Sequence, residues 1–198
     1  MPIFAPKKYF MQFQDINDLI RRRRAIFPKT YIPGKEIARE TIEQVLENAN
    51  WAPTHKRSQP WRFKVFHSEN SRTRLGDYLV GFNEKNGKDP LTPEKRNKIR
   101  ENPLRAGCVI ALCIHPDPTL PEWEEVAALA CAVQNMWLTC ASLGIGAYWS
   151  SPRAALEARE FLGLAETEKC FGLFYMGWHE MPEIPGMRSP VAEKTSFF

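Results

Sequence analysis

From Val126 to Pro152 the chain carries no charged residue, and this run restricts the possible folds more than any other stretch. Glu122 opens a helix expected to reach about Leu143, with apolar or small side chains on every face and Ala127, Ala128, Ala130, Cys131 and Ala132 small enough for close packing. A helix that is apolar all round is either buried or inserted in a membrane. Gln134 and Asn135 sit in its middle, and Gly144-Ile145-Gly146 breaks it before about twenty apolar residues accumulate, which excludes a span. In a chain of 198 residues the full circumference is easier to bury if a partner supplies part of the wall, so the run reads as core and dimer-interface helix. The two glycines do not form a dinucleotide fingerprint. That motif follows a strand and opens a helix, whereas these follow a helix and lead into the strand Ala147-Tyr148-Trp149.

Around this helix the periodicity supplies the remaining elements. Ile37, Ile42, Val45, Leu46 and Ala49 recur at helical spacing over 36–50, and Pro53 disfavours helical backbone before it, so that helix is expected to stop near Trp51. Trp61 to Phe66 alternates as a strand with one better-buried face. Ser68 or Ser71 caps a helix expected to reach Tyr78, and 81–100 reads as a charged excursion with a helix from Pro93, either covering a substrate or forming inert surface. Cys108 to Ile114 and Cys170 to Gly177 are apolar strands, and a helix follows Pro152 through Glu160. Four apolar strands alternating with helices predict an α+β sandwich in one domain, 1–198. The aromatic segment 1–14 reads as an arm packed on the body or on a partner. The proline-punctuated tail ending in Phe197-Phe198 is expected to extend across a neighbouring subunit.

A formal charge of +4 is too small to imply nucleic-acid binding, and the acidic stretches Glu36–Glu47 and Glu122–Glu125 interrupt any basic stripe from Arg21–Arg24 to the 54–59 loop. Five cysteines without a C-x-x-C pair, each among apolar neighbours, predict reduced, buried thiols and a cytoplasmic protein. No secretory signal is evident at the N-terminus. His55, His67, His115 and His179 lack metal-ligand spacing, no nucleophile triad stands out, and no metal is expected.

Two polar stretches carry the candidate chemistry. In Arg21-Arg22-Arg23-Arg24 the apolar Ala25-Ile26-Phe27 that follows predicts at least one arginine held inward, where its fork matches a phosphate. Thr54 to Gln59 presents hydrogen-bond donors between Trp51 and Pro60-Trp61, and reads equally as an anion- or heteroaromatic-binding loop or as a solvated turn.

The series Arg23-Arg24-Ala25-Ile26-Phe27-Pro28-Lys29, then Ala52-Pro53-x-His55-Lys56-x-x-Gln59-Pro60-Trp61-x-Phe63, Trp123-Glu124, Gly146-Ala147-Tyr148-Trp149-Ser150-Ser151 and Gly172 to Gly177 resembles the nitroreductase family, in its short single-domain branch. The likeness runs from about Ile16 to Trp178. It implies a three-layer α/β/α sandwich on a mixed, mainly antiparallel sheet, in an intertwined homodimer with two FMN sites at the interface. One subunit would supply Arg23, Arg24, Ala25, Trp149, Ser150, Ser151 and Arg188, the other Trp51, His55 and Lys56. Arg188 reads either as a second phosphate-binding cation or as a solvated arginine. The resemblance further implies a ping-pong exchange at flavin N5, from NAD(P)H to a nitroaromatic, a quinone or a related acceptor, with no protein side chain as catalyst. Dehalogenation and flavin fragmentation are the alternatives within the family. Ala25 departs from the family's usual serine, removing one hydroxyl donor.

Overall fold

In the computed structural model of the chain, residues 12–198 are described. The most deeply buried strand is the one without alternation. The second strand, β2 (Cys108–Ile114), is buried at every position because both of its faces are covered. It lies between β1 (Trp61–Phe66) and β4 (Lys169–Trp178), and β3 (Ile145–Ser150) completes the sheet beyond β4. The order is β1-β2-β4-β3 and each pairing is antiparallel. An isolated bridge between Ala25 and Ala147 adds one parallel contact at the β3 edge, which makes the sheet mixed.

The pleat of β2 divides the core into two layers. Cys108, Ile110, Leu112 and Ile114 face α2 (Arg39–Asn50) and α5 (Glu122–Ser142), meeting Ile42, Val45, Leu129, Val133 and Met136. Val109, Ala111 and Cys113 face α3 (Glu69–Asn86) and the single-turn helices α6 (Arg153–Leu156) and α7 (Arg159–Leu162) through Leu75, Leu79, Ala155 and Leu162. Helix, sheet, helix is the three-layer sandwich expected. No helix among the described residues is long and apolar enough to cross a membrane.

Several boundaries differ from the sequence reading for identifiable reasons. The helix ending at Asn50, with Trp51 as its cap, stops where Pro53 predicts, but it starts at Arg39 and not at Glu36. The carbonyls of Glu36 and Ile37 accept instead from Trp178 Nε1 (2.9 Å) and pair with His67 Nε2 (2.9 Å). Ser68 is the cap expected for α3, its Oγ accepting from Ser71 N at 3.2 Å, yet the helix runs eight residues past Tyr78. Tyr78 stacks on Phe161 at 4.2 Å and Phe82 packs beside it, so the second turn of aromatics continues the helix through Gly81. The excursion expected over 81–100 is therefore a helical hairpin: α4 (Pro93–Arg105) lies against α3, fastened by Arg100 to Asp77 at 2.9 Å. Gly76 permits the approach, because a Cβ there would stand 2.7 Å from the Arg100 carbonyl. The helix expected from Pro152 through Glu160 is split into α6 and α7. Cys108, Cys113, Cys140 and Cys170 are buried, with burial pushing the Cys108 thiol up to about 12, but Cys131 is exposed on α5. The N-terminal arm expected over 1–14 lies, as far as residue 11, outside the described residues.

Candidate functional site

Helix α5 is the spine on which the candidate residues are mounted. Near its C-terminal end, α1 (Phe13–Arg22) delivers Arg23 as its cap, and the Arg23 guanidinium lies over the Trp137 ring at 4.9 Å. Trp137 Nε1 donates to the carbonyls of Arg24 (3.0 Å) and Ala147 (3.1 Å), so one indole ties the arginine strand to β3. Ile26 N adds a bond to Ala147 O at 2.9 Å, and Ala25 is left exposed. Arg24 donates to the carbonyl of Ile184 at 2.7 Å, drawing the C-terminal tail back over this corner. That tail brings Arg188 close enough to act on Arg23. Burial, then the Arg188 charge, then the Arg24 charge all hold the Arg23 guanidinium below its ordinary value. Among the described residues its side chain has neither a hydrogen bond nor a carboxylate partner, unlike Arg22, which pairs with Glu183 at 3.5 Å.

The far end of α5 meets the loop. Residues 55–57 form a 3-10 turn in which Lys56 (φ 48°), Arg57 (φ 60°) and then Gln59 (φ 47°) adopt left-handed backbone, an uncommon run for non-glycine residues. His55 Nδ1 meets Glu124 Oε2, and Ser58 Oγ donates to Glu125 Oε1 at 2.7 Å. Lys56 is exposed and helps to lower the Asp117 carboxyl, after the two Thr119 hydrogen bonds that dominate that shift. Trp51 is 79% exposed, its Nε1 donating to Glu47 Oε1 at 3.1 Å. Between loop and helix runs an open groove of about 480 Å³ lined by Pro53, Thr54, His55, Trp123, Ala127 and Cys131.

The structure thus gathers Arg23, Arg24, Ala25 and Arg188 into one corner beside β3, whose C-terminal half carries Trp149 and Ser150 and leads to Ser151. It places His55 and Lys56 at the other end of α5, while Trp51 caps α2 one turn after Asn48, which bonds to Asn135 and Thr139. It does not bring the two groups together. Arg23 is seated on Trp137 and His55 on Glu124, thirteen residues apart along one helix, hence about 20 Å. The surface between them is the part of α5 expected to be wholly buried. Ala127, Ala130, Cys131 and Gln134 are exposed and uncharged, so one face of the spine has no cover among the described residues.

Two residues that shape the site have no role of their own in the sequence pattern. Trp137 was one apolar residue in a uniformly apolar helix, and only the fold shows it beneath Arg23. Gly172 left a fainter trace as a glycine inside an apolar strand, a sign of close backbone approach. Its φ is 132°, and a Cβ there would stand 2.4 Å from Ser150 O and 2.7 Å from Trp149 Nε1. Trp149 Nε1 donates to Phe171 O at 3.0 Å, so the indole is turned into the sheet and fixed beside this glycine.

The chain is thus an α/β/α sandwich that carries, at the sheet edge, a guanidinium with no carboxylate partner among the described residues. The Nitroreductase family profile matches residues 20–178, and the chain belongs to that family. It is 27% identical over 189 residues to Bacillus subtilis YfhC, provisionally named an NAD(P)H nitroreductase, covering 92% of this chain and 94% of the relative. Among solved structures, a nitroreductase-like family protein from Bacillus cereus superposes with a TM-score of 0.76 at 24% identity, covering 96% of this chain and 98% of that one. The FMN-dependent nitroreductase NfnB from Mycobacterium smegmatis, solved in complex with NADPH, gives 0.71 at 20% identity over 93% and 98%. At these identities the two structures speak for the fold.

Proposed function

We propose that the chain is a single-domain, FMN-dependent oxidoreductase that takes electrons from NAD(P)H and passes them to a nitroaromatic, quinone or related acceptor in a ping-pong cycle. The observation that carries this reading is the Arg23 guanidinium itself, seated on Trp137 with Arg188 and Arg24 acting on it and no carboxylate partner among the described residues. A phosphate monoester, at about −1.5 to −2 charge, would relieve that repulsion, and the arginine fork matches its oxygens. No adenosine-binding fingerprint accompanies these arginines, which favours FMN over FAD.

In this reading Arg23 grips the phosphate with Arg24 and Arg188 beside it, and Ala25 offers its backbone. Trp149, Ser150 and Ser151 line the ring from the same subunit. Trp51, His55 and Lys56 come from the partner subunit, since one chain holds His55 about 20 Å from Arg23 along α5. The uncharged exposed face of α5 between the two groups is the natural seat of that partner, which makes the protein a homodimer. FMN, when bound, supplies the two-electron chemistry. The residues of this chain bind and orient it, keep water from its buried edge, and set donors where negative charge develops. Purified protein should be yellow and release FMN on denaturation. A colourless preparation that takes up no added FMN in a fluorescence titration contradicts the proposal.

A further inference from the structure

Glu125 has no part in the site just proposed, yet its surroundings tie it to the loop. It is wholly buried, one of two buried charged side chains among the described residues. A carboxyl taken out of water is tolerated only where its oxygens find donors. Both do: Oε1 accepts from Ser58 Oγ at 2.7 Å and Oε2 from the Asp117 backbone N–H at 3.2 Å, an acceptor-only pattern that suits an ionised carboxylate. The preceding residue, Glu124, meets His55. Successive residues on a helix point about 100° apart, so this first turn of α5 takes hold of the 55–58 turn at two separate places. Between and just beyond those two points lie the left-handed Lys56, Arg57 and Gln59. Left-handed backbone at non-glycine residues is strained, and it persists only where the surroundings over-determine it. Here the determinants are named: one carboxylate at each end of the turn, one of them inaccessible to competing water.

We propose that Glu125, acting through Ser58, is a positioning residue that holds the 55–59 loop in the strained shape in which His55 and Lys56 recognise FMN. The inference rests on the proposed function only for the ligand. The clasp itself is a property of the free protein. Asp117 completes it, since its N–H binds Glu125 while its carboxylate is fixed by Thr119 and feels the Lys56 charge. Glu125 thereby sets the loop on which the lysine is presented. A role limited to filling the core would lower the melting temperature without a special effect on this loop.

Two variants separate these roles. Glu125→Gln keeps volume and one acceptor oxygen but turns an N–H₂ toward one of the two donors, and Ser58→Ala removes only the hydroxyl. Amide hydrogen exchange over residues 54–60 is followed in FMN-free protein, and FMN affinity is measured by fluorescence titration. For Glu125→Gln the exchange should quicken by about tenfold or more and the FMN Kd should rise by about tenfold, as for loss of a charge-assisted hydrogen bond. Ser58→Ala should do the same to a lesser degree, and the double variant should be little worse than Glu125→Gln, since both act through one contact. Should Glu125→Gln fail to fold, Ser58→Ala carries the test alone. Unchanged exchange over 54–60, or an FMN Kd within about twofold of the parent, overturns the proposal. Failure of the parent to bind FMN would instead overturn the proposed function, while the exchange measurement still decides whether the clasp exists.

Discussion

The two ends of α5 solve opposite problems. At the loop end each side chain turned toward the helix is already met by a carboxylate, His55 by Glu124 and Ser58 by Glu125, and what remains is a strained backbone held in one shape. At the arginine end charge is left over. Arg23 lies on an indole with two other guanidiniums nearby and no carboxylate among the described residues to neutralise it. The first region, clasped by two carboxylates, contributes geometry and presents Lys56 on it, whereas the second gathers cations around a guanidinium. The proposed site joins one region of each kind, and α5 keeps the two apart within a single chain.

The strongest way to break this picture is to deny α5 its partner. Ala130 is exposed on a good helix position, so Ala130→Glu should be nearly neutral for the isolated chain but place an uncompensated charge in a buried interface, a cost of several kcal/mol. Sedimentation should then give a monomer at micromolar concentration, and FMN should be lost with the dimer. A dimer that persists with its FMN would remove this face from the interface.

Next in size is the arginine end alone. Arg23→Ala should weaken FMN binding by about ten- to a hundredfold, or about 1.5–3 kcal/mol, while the fold survives because the side chain has no hydrogen-bond partner among the described residues to orphan. An unchanged dissociation constant would move phosphate recognition to Arg188 or Lys56. Ala25→Ser, restoring the hydroxyl usual in the family, should act in the opposite direction by about 1 kcal/mol, or about fivefold tighter binding.

The division of labour was partly legible in the sequence. The alternation of Trp61 to Phe66, the unbroken apolar run of Cys108 to Ile114 and the cap at Ser68 announce their elements because each depends on local pattern. The length of α3 was not legible, since Tyr78 is held by stacking on Phe161, a contact across some eighty residues, and Phe82 packs beside Tyr78. The same limit hid the arginine end. Arg23 and Arg188 could be proposed as cations, but their meeting depends on a tail that folds back through Arg24 and Ile184. Likewise, the absence of charge in α5 was plain, whereas which of its faces stays uncovered is decided by the layers around it. Cys131 shows the cost of averaging over that helix, being exposed although Leu129 and Ala132 close by are core.

The smallest effect concerns the strand that supports the arginine end. His179 follows β4, accepts through Nδ1 from Met181 N at 3.1 Å and is held below its usual pKa of 6.5 by burial. The unfolded chain therefore takes up this proton more readily than the folded one. The stability due to neutral His179 is present above about pH 6.5 and is lost as pH falls through the lower folded value. His179→Asn, which keeps an acceptor near Nδ1 but does not titrate, should show a shallower fall in Tm between about pH 7 and about pH 5. An identical slope in parent and variant would assign the pH dependence to other groups.

Whether one site is assembled from both ends of α5, on different subunits, is tested most directly by mixing defects. Arg23→Ala disables one half of each proposed site, and a His55→Ala/Lys56→Ala double variant disables the other. Co-expressed with separate affinity tags and purified as the mixed dimer, the two should hold one FMN at near-parental affinity per dimer, because one of the two sites combines the intact Arg23 with the intact loop. Titration that finds both sites equally weak in the mixed dimer would contradict the account, and would mean that the 55–59 loop serves the arginines of its own chain.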